Sequence, residues 1–173
     1  MAETNTLHTA LVDELQDIYD AEQQITKALP KMVEAATSED LRAGFEAHLE
    51  ETRDHVLRVE QALAMLDEKA RGKHCDGMAG ILDEGAAVLK VDADDLSKDA
   101  RLIAAAQRVE HYEMAVYGTL VTWARAMGHS EVADLLQMTL DEEKMADANL
   151  TALAEGGINQ QAAILAHGGS TRR

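Results

Sequence analysis

Residues 15–29 read LQDIYDAEQQITKAL, and the phase of their apolar members decides the fold. Leu15, Ile18, Ile25 and Leu29 recur at steps of three, seven and four, the spacing of one face of an α-helix. A helix turns so that seven residues bring a side chain back to within about 20° of its starting direction. Leu15, Glu22 and Leu29 are seven apart, so a glutamate stands in line with two core leucines. Working outward, Leu7, Leu11 and Met32 extend the stripe and predict a helix over 6–36. Pro30 lies inside it and is expected to kink the helix or end it a turn early, because proline lacks the backbone donor.

The same reading predicts three more long helices. One starts at Ser38, an N-cap followed by Glu39 and Asp40, and runs to Lys69 through Leu41, Phe45, Val59 and Leu66. A helix of that length is about 45 Å long, and the short Thr37–Ser38 turn folds it back antiparallel to the first. A glycine-punctuated connector, 72–100, carries a short helix over 78–90. The third long helix spans 97–126 and stops at Gly128; the fourth is capped by Ser130 and runs to Ala154, with Gly156 and Gly157 stopping it. The fold class is therefore all-α: a ferritin-like antiparallel four-helix bundle with a short extra helix in the connector between the second and third long helices. The bundle domain is expected over 1–160, with 161–173 a disordered tail.

Composition agrees. One proline, 3% aromatic residues and an abundance of Ala, Leu and Glu suit long helices rather than a sheet. The 32 acidic residues against 16 basic give a formal charge of −16, which repels nucleic acid and anionic lipid and attracts cations; it also serves plain solubility. No apolar run approaches the roughly 20 residues of a membrane span. The N-terminal residues have no signal-peptide pattern, and the single Cys75 excludes an intrachain disulfide. A cytoplasmic protein is expected.

The informative residues are polar ones inside apolar stripes. Ala106, Glu113 and Leu120 repeat the arrangement around Glu22, and Leu136, Glu143 and Leu150 do so again. Three helices each aim one glutamate inward. An ionised carboxylate buried alone costs several kcal/mol and must be protonated, paired or metal-bound. On the second helix, His48 and His55 are seven apart within the apolar arc, with Glu51 between them nearer its edge. Glu22, His48, Glu51, His55, Glu113 and Glu143 are thus the candidate metal ligands. Glu110, Glu142, Asp147, Tyr19 and Tyr117 are alternative ligands or hydrogen-bond partners. A constant offset of 91 residues carries Glu22 to Glu113 and Glu51 to Glu142; that offset favours Glu142 over Glu143, whereas helix phase favours Glu143, and phase is preferred because chelation requires an inward direction. Taken singly, each glutamate is more often an ordinary boundary residue and each histidine more often a hydrogen-bonded core residue; their convergence from four helices points to metal.

Residues 15–24, 28–32, 48–52, 102–113 and 117–120 resemble the YciF-type ferritin-like stress proteins of bacteria, and the resemblance extends over 7–154. It implies a four-helix bundle with a short extra helix, homodimers, a role in stress, and kinship with rubrerythrins and other di-iron carboxylate proteins. One departure is plain. Di-iron bundles carry Glu-x-x-His on two helices, and no such tetrad occurs here.

Two functions follow as expectations. The first is a di-metal centre, iron or manganese, that oxidises Fe(II) or reduces peroxide or dioxygen. The second is a non-enzymatic acidic bundle acting in stress through protein contacts, with the buried polar residues fixing helix register.

Overall fold

Thr6 and Ser38 open the first two helices. The Thr6 hydroxyl accepts from the Thr9 N–H at 3.3 Å, and the Ser38 hydroxyl from the Leu41 N–H at 3.4 Å, each satisfying a donor that the helix start leaves free. From these caps run α1 (Leu7–Ala35) and α2 (Glu39–Met65). The structure is a computed structural model and describes residues 6–168. Further along lie α3 (Asp76–Val88), α4 (Asp95–Ala126) and α5 (Ser130–Leu153). A π-helical turn, Ala154–Ile158, then leads into α6 (Asn159–Gly168).

The packing makes the topology. α1 lies against α2 and α4, and α5 against α4 and α2, so the four long helices form a square. Each hairpin, α1–α2 and α4–α5, is closed by a three-residue turn. α2 and α4 occupy opposite corners, and the chain passes between them through the connector that holds α3. α3 packs on α4 and α1 and buries one residue, Met78. Leu11, Leu15, Ile18, Leu41, Leu63, Leu102, Leu120 and Leu136 are fully buried in the centre; each contributes about 1.5–3 kcal/mol by leaving water.

Asp99 ties the two hairpins together. This carboxylate on α4 is fully buried, yet every demand on it is met by the α1–α2 turn. The Thr37 N–H donates to Oδ1 at 2.8 Å, and the Thr37 hydroxyl and Ser38 N–H donate to Oδ2 at 2.6 and 2.8 Å. Hydrogen bonds to a charged acceptor contribute about 1.5–3 kcal/mol each.

Several boundaries differ from the sequence expectations: α3 covers Asp76–Val88 rather than 78–90, and α4 starts at Asp95 rather than at 97. α1 runs through Pro30 to Ala35 without stopping early; Pro30 is exposed, where water can replace the missing bond. α2 ends at Met65 and not at Lys69, because Asp67 takes a left-handed φ of 60°. The Glu68 N–H then reaches the Leu63 carbonyl at 2.9 Å and the Asp67 N–H the Ala64 carbonyl at 3.1 Å, the closing pattern that usually employs glycine. Gly128 makes the same closure for α4 at φ 82°. Ser130 is the first residue of α5 rather than its cap; His129 stands at the cap position without a side-chain bond. Gly156 and Gly157 do end the last long helix, as expected: α5 closes at Leu153, and Gly157 breaks the helical path before a further helix begins. Gly157 adopts φ 154° inside the π-helical turn and the chain is then helical again to Gly168, so 161–168, expected within a disordered tail, is helical. Residues 169–173 lie outside the described residues.

Candidate metal centre

Midway along the square, the side chains that would complete the leucine layers are carboxylates and imidazoles. Glu22 comes from α1, His48 and His55 from α2, Glu110 and Glu113 from α4, and Glu143 from α5. All six are buried, none more than 6% exposed. Their donor atoms fall into two groups within which every atom lies within 4.8 Å of the others: Glu22, His55 and Glu143 in one, and His48, Glu110, Glu113 and Glu143 in the other. Glu143 belongs to both. One oxygen, Oε1, is 2.9 Å from His55 Nδ1, and the other, Oε2, is 3.9 Å from His48 Nε2. That is the placement of a carboxylate able to bridge two ions.

The donors point at one another without being satisfied. Glu22 Oε2, His48 Nε2, His55 Nδ1, Glu110 Oε2 and both oxygens of Glu113 and Glu143 are buried with no hydrogen-bond partner. His55 Nδ1 is close enough to Glu143 to bond but not aligned for it. Eight such atoms in one place are far more than a folded core tolerates, since each costs about 1–3 kcal/mol unless something satisfies it. No buried lysine or arginine lies among them. The donor set is one that could hold a metal ion: carboxylate with imidazole suits manganese, iron or zinc.

The electrostatics agree. Burial and the nearby charge of Glu143 hold Glu110 and Glu113 well above the usual carboxylate range. Burial would also raise Glu143, but His55 and His48 pull it below its ordinary value. On His55 burial opposes the charge, yet Glu143 and Glu22 overcome it and push the pKa up to about 10. Burial and neighbouring charge thus favour the protonated forms of Glu110 and Glu113, while the facing carboxylates favour the charged form of His55.

Around the cluster, outer groups orient the donors. His48 Nδ1 is 3.4 Å from Glu51, and His55 Nε2 is 2.9 Å from Glu142. Each imidazole thus turns one nitrogen inward and offers the other to a carboxylate, the arrangement that fixes a ligating histidine. Arg58 holds Glu142 with a bond of 3.0 Å to Oε1 and a second bond to Oε2, and it lowers the Glu142 pKa against the opposing effect of burial. The buried Tyr117 hydroxyl donates to Glu22 Oε1, which leaves Oε2 free to face inward.

Two of the expected ligands change place. Glu51 is not in the cluster: its side chain is 47% exposed and reaches only the outer edge of His48. Glu110, read from sequence as an edge residue, is 2% exposed and sits in the cluster. Its signal was the i,i+3 spacing to Glu113, which puts both on nearly one face. Of the alternatives, Glu142 lies outside His55 rather than beside Glu143. Asp147 accepts from Gln107 at 3.1 Å and lies 3.3 Å from His111, away from the centre. Tyr19 donates to Glu60 at 2.6 Å and takes no part.

Fold and site together define an all-α, ferritin-like bundle built around a buried carboxylate–histidine cluster. The chain belongs to the family described as Domain of unknown function (DUF892), which matches residues 6–163. It is 41% identical over 158 residues to Protein YciF of Escherichia coli strain K12, covering 91% of this chain and 95% of that protein. The crystal structure of that E. coli stress protein superposes with a TM-score of 0.86 over 90% of this chain and 99% of its own. YcfI of Rhodopseudomonas palustris is 43% identical with a TM-score of 0.83, covering 87% and 96%. A Xanthomonas campestris pv. campestris protein, 23% identical with a TM-score of 0.69 over 93% and 98%, shares the fold. Among the described residues no helix is long and apolar enough to cross a membrane.

Proposed function

We propose that the cluster binds two divalent transition-metal ions, iron or manganese, and uses them in stress to oxidise Fe(II) or to reduce peroxide or dioxygen. The observation that carries this reading is the set of eight buried donor atoms without partners, contributed by all four long helices. Glu22 and His55 would hold one ion; His48, Glu110 and Glu113 would hold the other; Glu143 would be shared. The ions would supply electron transfer and Lewis-acid polarisation of a bound oxygen species.

The chain's own residues do the rest. Glu51 and Glu142 keep the two imidazoles turned inward, and Tyr117 fixes Glu22. Burial of the six donor residues, none more than 6% exposed, strengthens each electrostatic contact. Metal uptake must displace the protons held on Glu110, Glu113 and His55.

Elemental analysis of protein purified without chelator tests the proposal, followed by titration of the metal-free chain with Mn(II) and with Fe(II) under anaerobic conditions. The expected result is saturable uptake of two ions, with oxidation of Fe(II) on admission of dioxygen or peroxide. No uptake of iron, manganese or zinc would reject it and leave the acidic helical scaffold as the working part.

A further inference from the structure

A cavity of about 310 Å³ lies between α1, α3 and α4. That volume is in the range of small-molecule sites. Its walls are largely apolar, with Ile25, Leu29 and Met32 from α1, Ile81 and Leu82 from α3, and Leu89 just after it. Gly85 on α3 faces Ala105 on α4, where a methyl group in place of the glycine hydrogen would lie 3.8 Å from the alanine methyl, in ordinary van der Waals contact.

The two ends of the lining differ in chemistry. His48 and Glu110, 6% and 2% exposed, line the deep end, and the Nε2 of the first and Oε2 of the second have no hydrogen-bond partner. At the exposed end stand Lys27 and Lys31, one turn apart on the same face of α1. Apart from Glu110, the one acid in the lining is Asp83, so the mouth is net positive in a chain of charge −16. A metal ion entering the cluster would be repelled by those lysines. They suit an anion, and the walls between suit hydrocarbon.

We propose that this cavity binds an apolar organic anion of the medium-chain carboxylate class, with its acid group at Lys27 and Lys31 and its hydrocarbon chain along Ile25, Leu29, Ile81 and Leu82. The binding does not require metal.

Decanoate serves as the probe, titrated calorimetrically into the full-length metal-free chain, with decanol and acetate as controls for charge and tail. Saturable decanoate binding is expected, about three- to tenfold tighter than decanol, as two partly screened lysines would give, and no acetate binding. The surface double variant Lys27→Ala/Lys31→Ala should remove the preference for decanoate over decanol and leave decanol unchanged. Ala105→Leu, checked for helicity and melting temperature, should abolish both. Absence of saturable decanoate binding overturns the proposal, as does binding that survives all three substitutions or shows no preference over decanol. Binding that weakens as protein concentration rises, with a dimer seen by sedimentation, also overturns it, because a second copy would then cover the mouth. Since every titration is done without metal, failure here leaves the metal-uptake result standing, and failure of metal uptake leaves this one.

Discussion

Asp99 and Glu113 are both buried carboxylates on α4, about four turns apart, and they are held in opposite ways. Asp99 accepts three hydrogen bonds at 2.6–2.8 Å from the α1–α2 turn and needs nothing more. Glu113, 1% exposed, has no partner on either oxygen. The first is a structural carboxylate whose charge the protein itself satisfies. The second is satisfied only by a trapped proton or by something from outside. The difference separates an acid that holds the fold together from one that the fold must hold in place. It also assigns opposite signs to their removal.

Glu143 gives the strongest test of that contrast. As the carboxylate common to both donor groups, its replacement in Glu143→Ala should weaken uptake of both ions by more than about 100-fold, beyond the 10–100-fold typical of residues that merely orient ligands; competition titration against a metallochromic chelator measures it. If only one ion is lost, Glu143 does not bridge.

Asp99→Ala comes next. It strips three donors of their acceptor and is expected to destabilise the chain by roughly 2–4 kcal/mol, read as a shift in the urea midpoint, with metal uptake unchanged. Glu113→Leu should do the reverse. In the metal-free chain it removes an unpaired buried acid and should stabilise by about 1–3 kcal/mol, while loss of metal binding accompanies the gain. Destabilisation of the metal-free protein by Glu113→Leu would erase the distinction on which the site rests.

The pH dependence sharpens the same point. Burial and neighbouring carboxylates raise the folded pKa of Glu113 above its ordinary value of 4.5. The protonated form is therefore favoured in the folded state, and its stabilising contribution is complete below 4.5 and disappears as pH rises through the folded value. Relative to Glu113→Gln, which does not titrate, the metal-free wild type should lose stability as pH climbs above 4.5. Thermal melts of the two proteins across pH 4–8, a range chosen to span roughly the carboxylate and neutral regions, should diverge in that direction; parallel curves would mean that Glu113 is not titrating in a buried site. The smallest expected effect belongs to Glu142, which orients His55 from outside the cluster. Glu142→Gln keeps the shape and loses the charge, and should weaken uptake of the ion held by Glu22 and His55 by about tenfold.

Much of this was legible in the chain, and the illegible parts share a cause. Helix phase is a local property, so the seven-residue steps correctly aimed Glu22, Glu113 and Glu143 inward and put His48 and His55 on one buried face of α2. Edge positions are decided by whatever covers them. Glu51 and Glu110 are both about a sixth of a turn from their stripes, as their three-residue spacings dictate. Glu110 lines the cavity that α3 roofs and is buried; Glu51 lies on the α2–α5 side, near the exposed Met138 and Met145, and meets water. In the same way, Gly128 announced the closure of α4, whereas Asp67 performs it for α2 without the glycine that would have given it away.

The sequence by itself determined that four long helices form and which way their apolar faces and inward carboxylates turn, because hydrophobic periodicity and side-chain direction follow from backbone geometry alone. It could not tell Asp99 from Glu113. Those two residues are fourteen apart, in a row of seven-residue steps with Ala106 and Leu120, and within about 40° of each other in phase. Only the packing of the α1–α2 turn over one, and of three other carboxylates around the other, made the first a fastener and the second a candidate ligand, since satisfaction of a buried charge depends on neighbours that are distant along the chain.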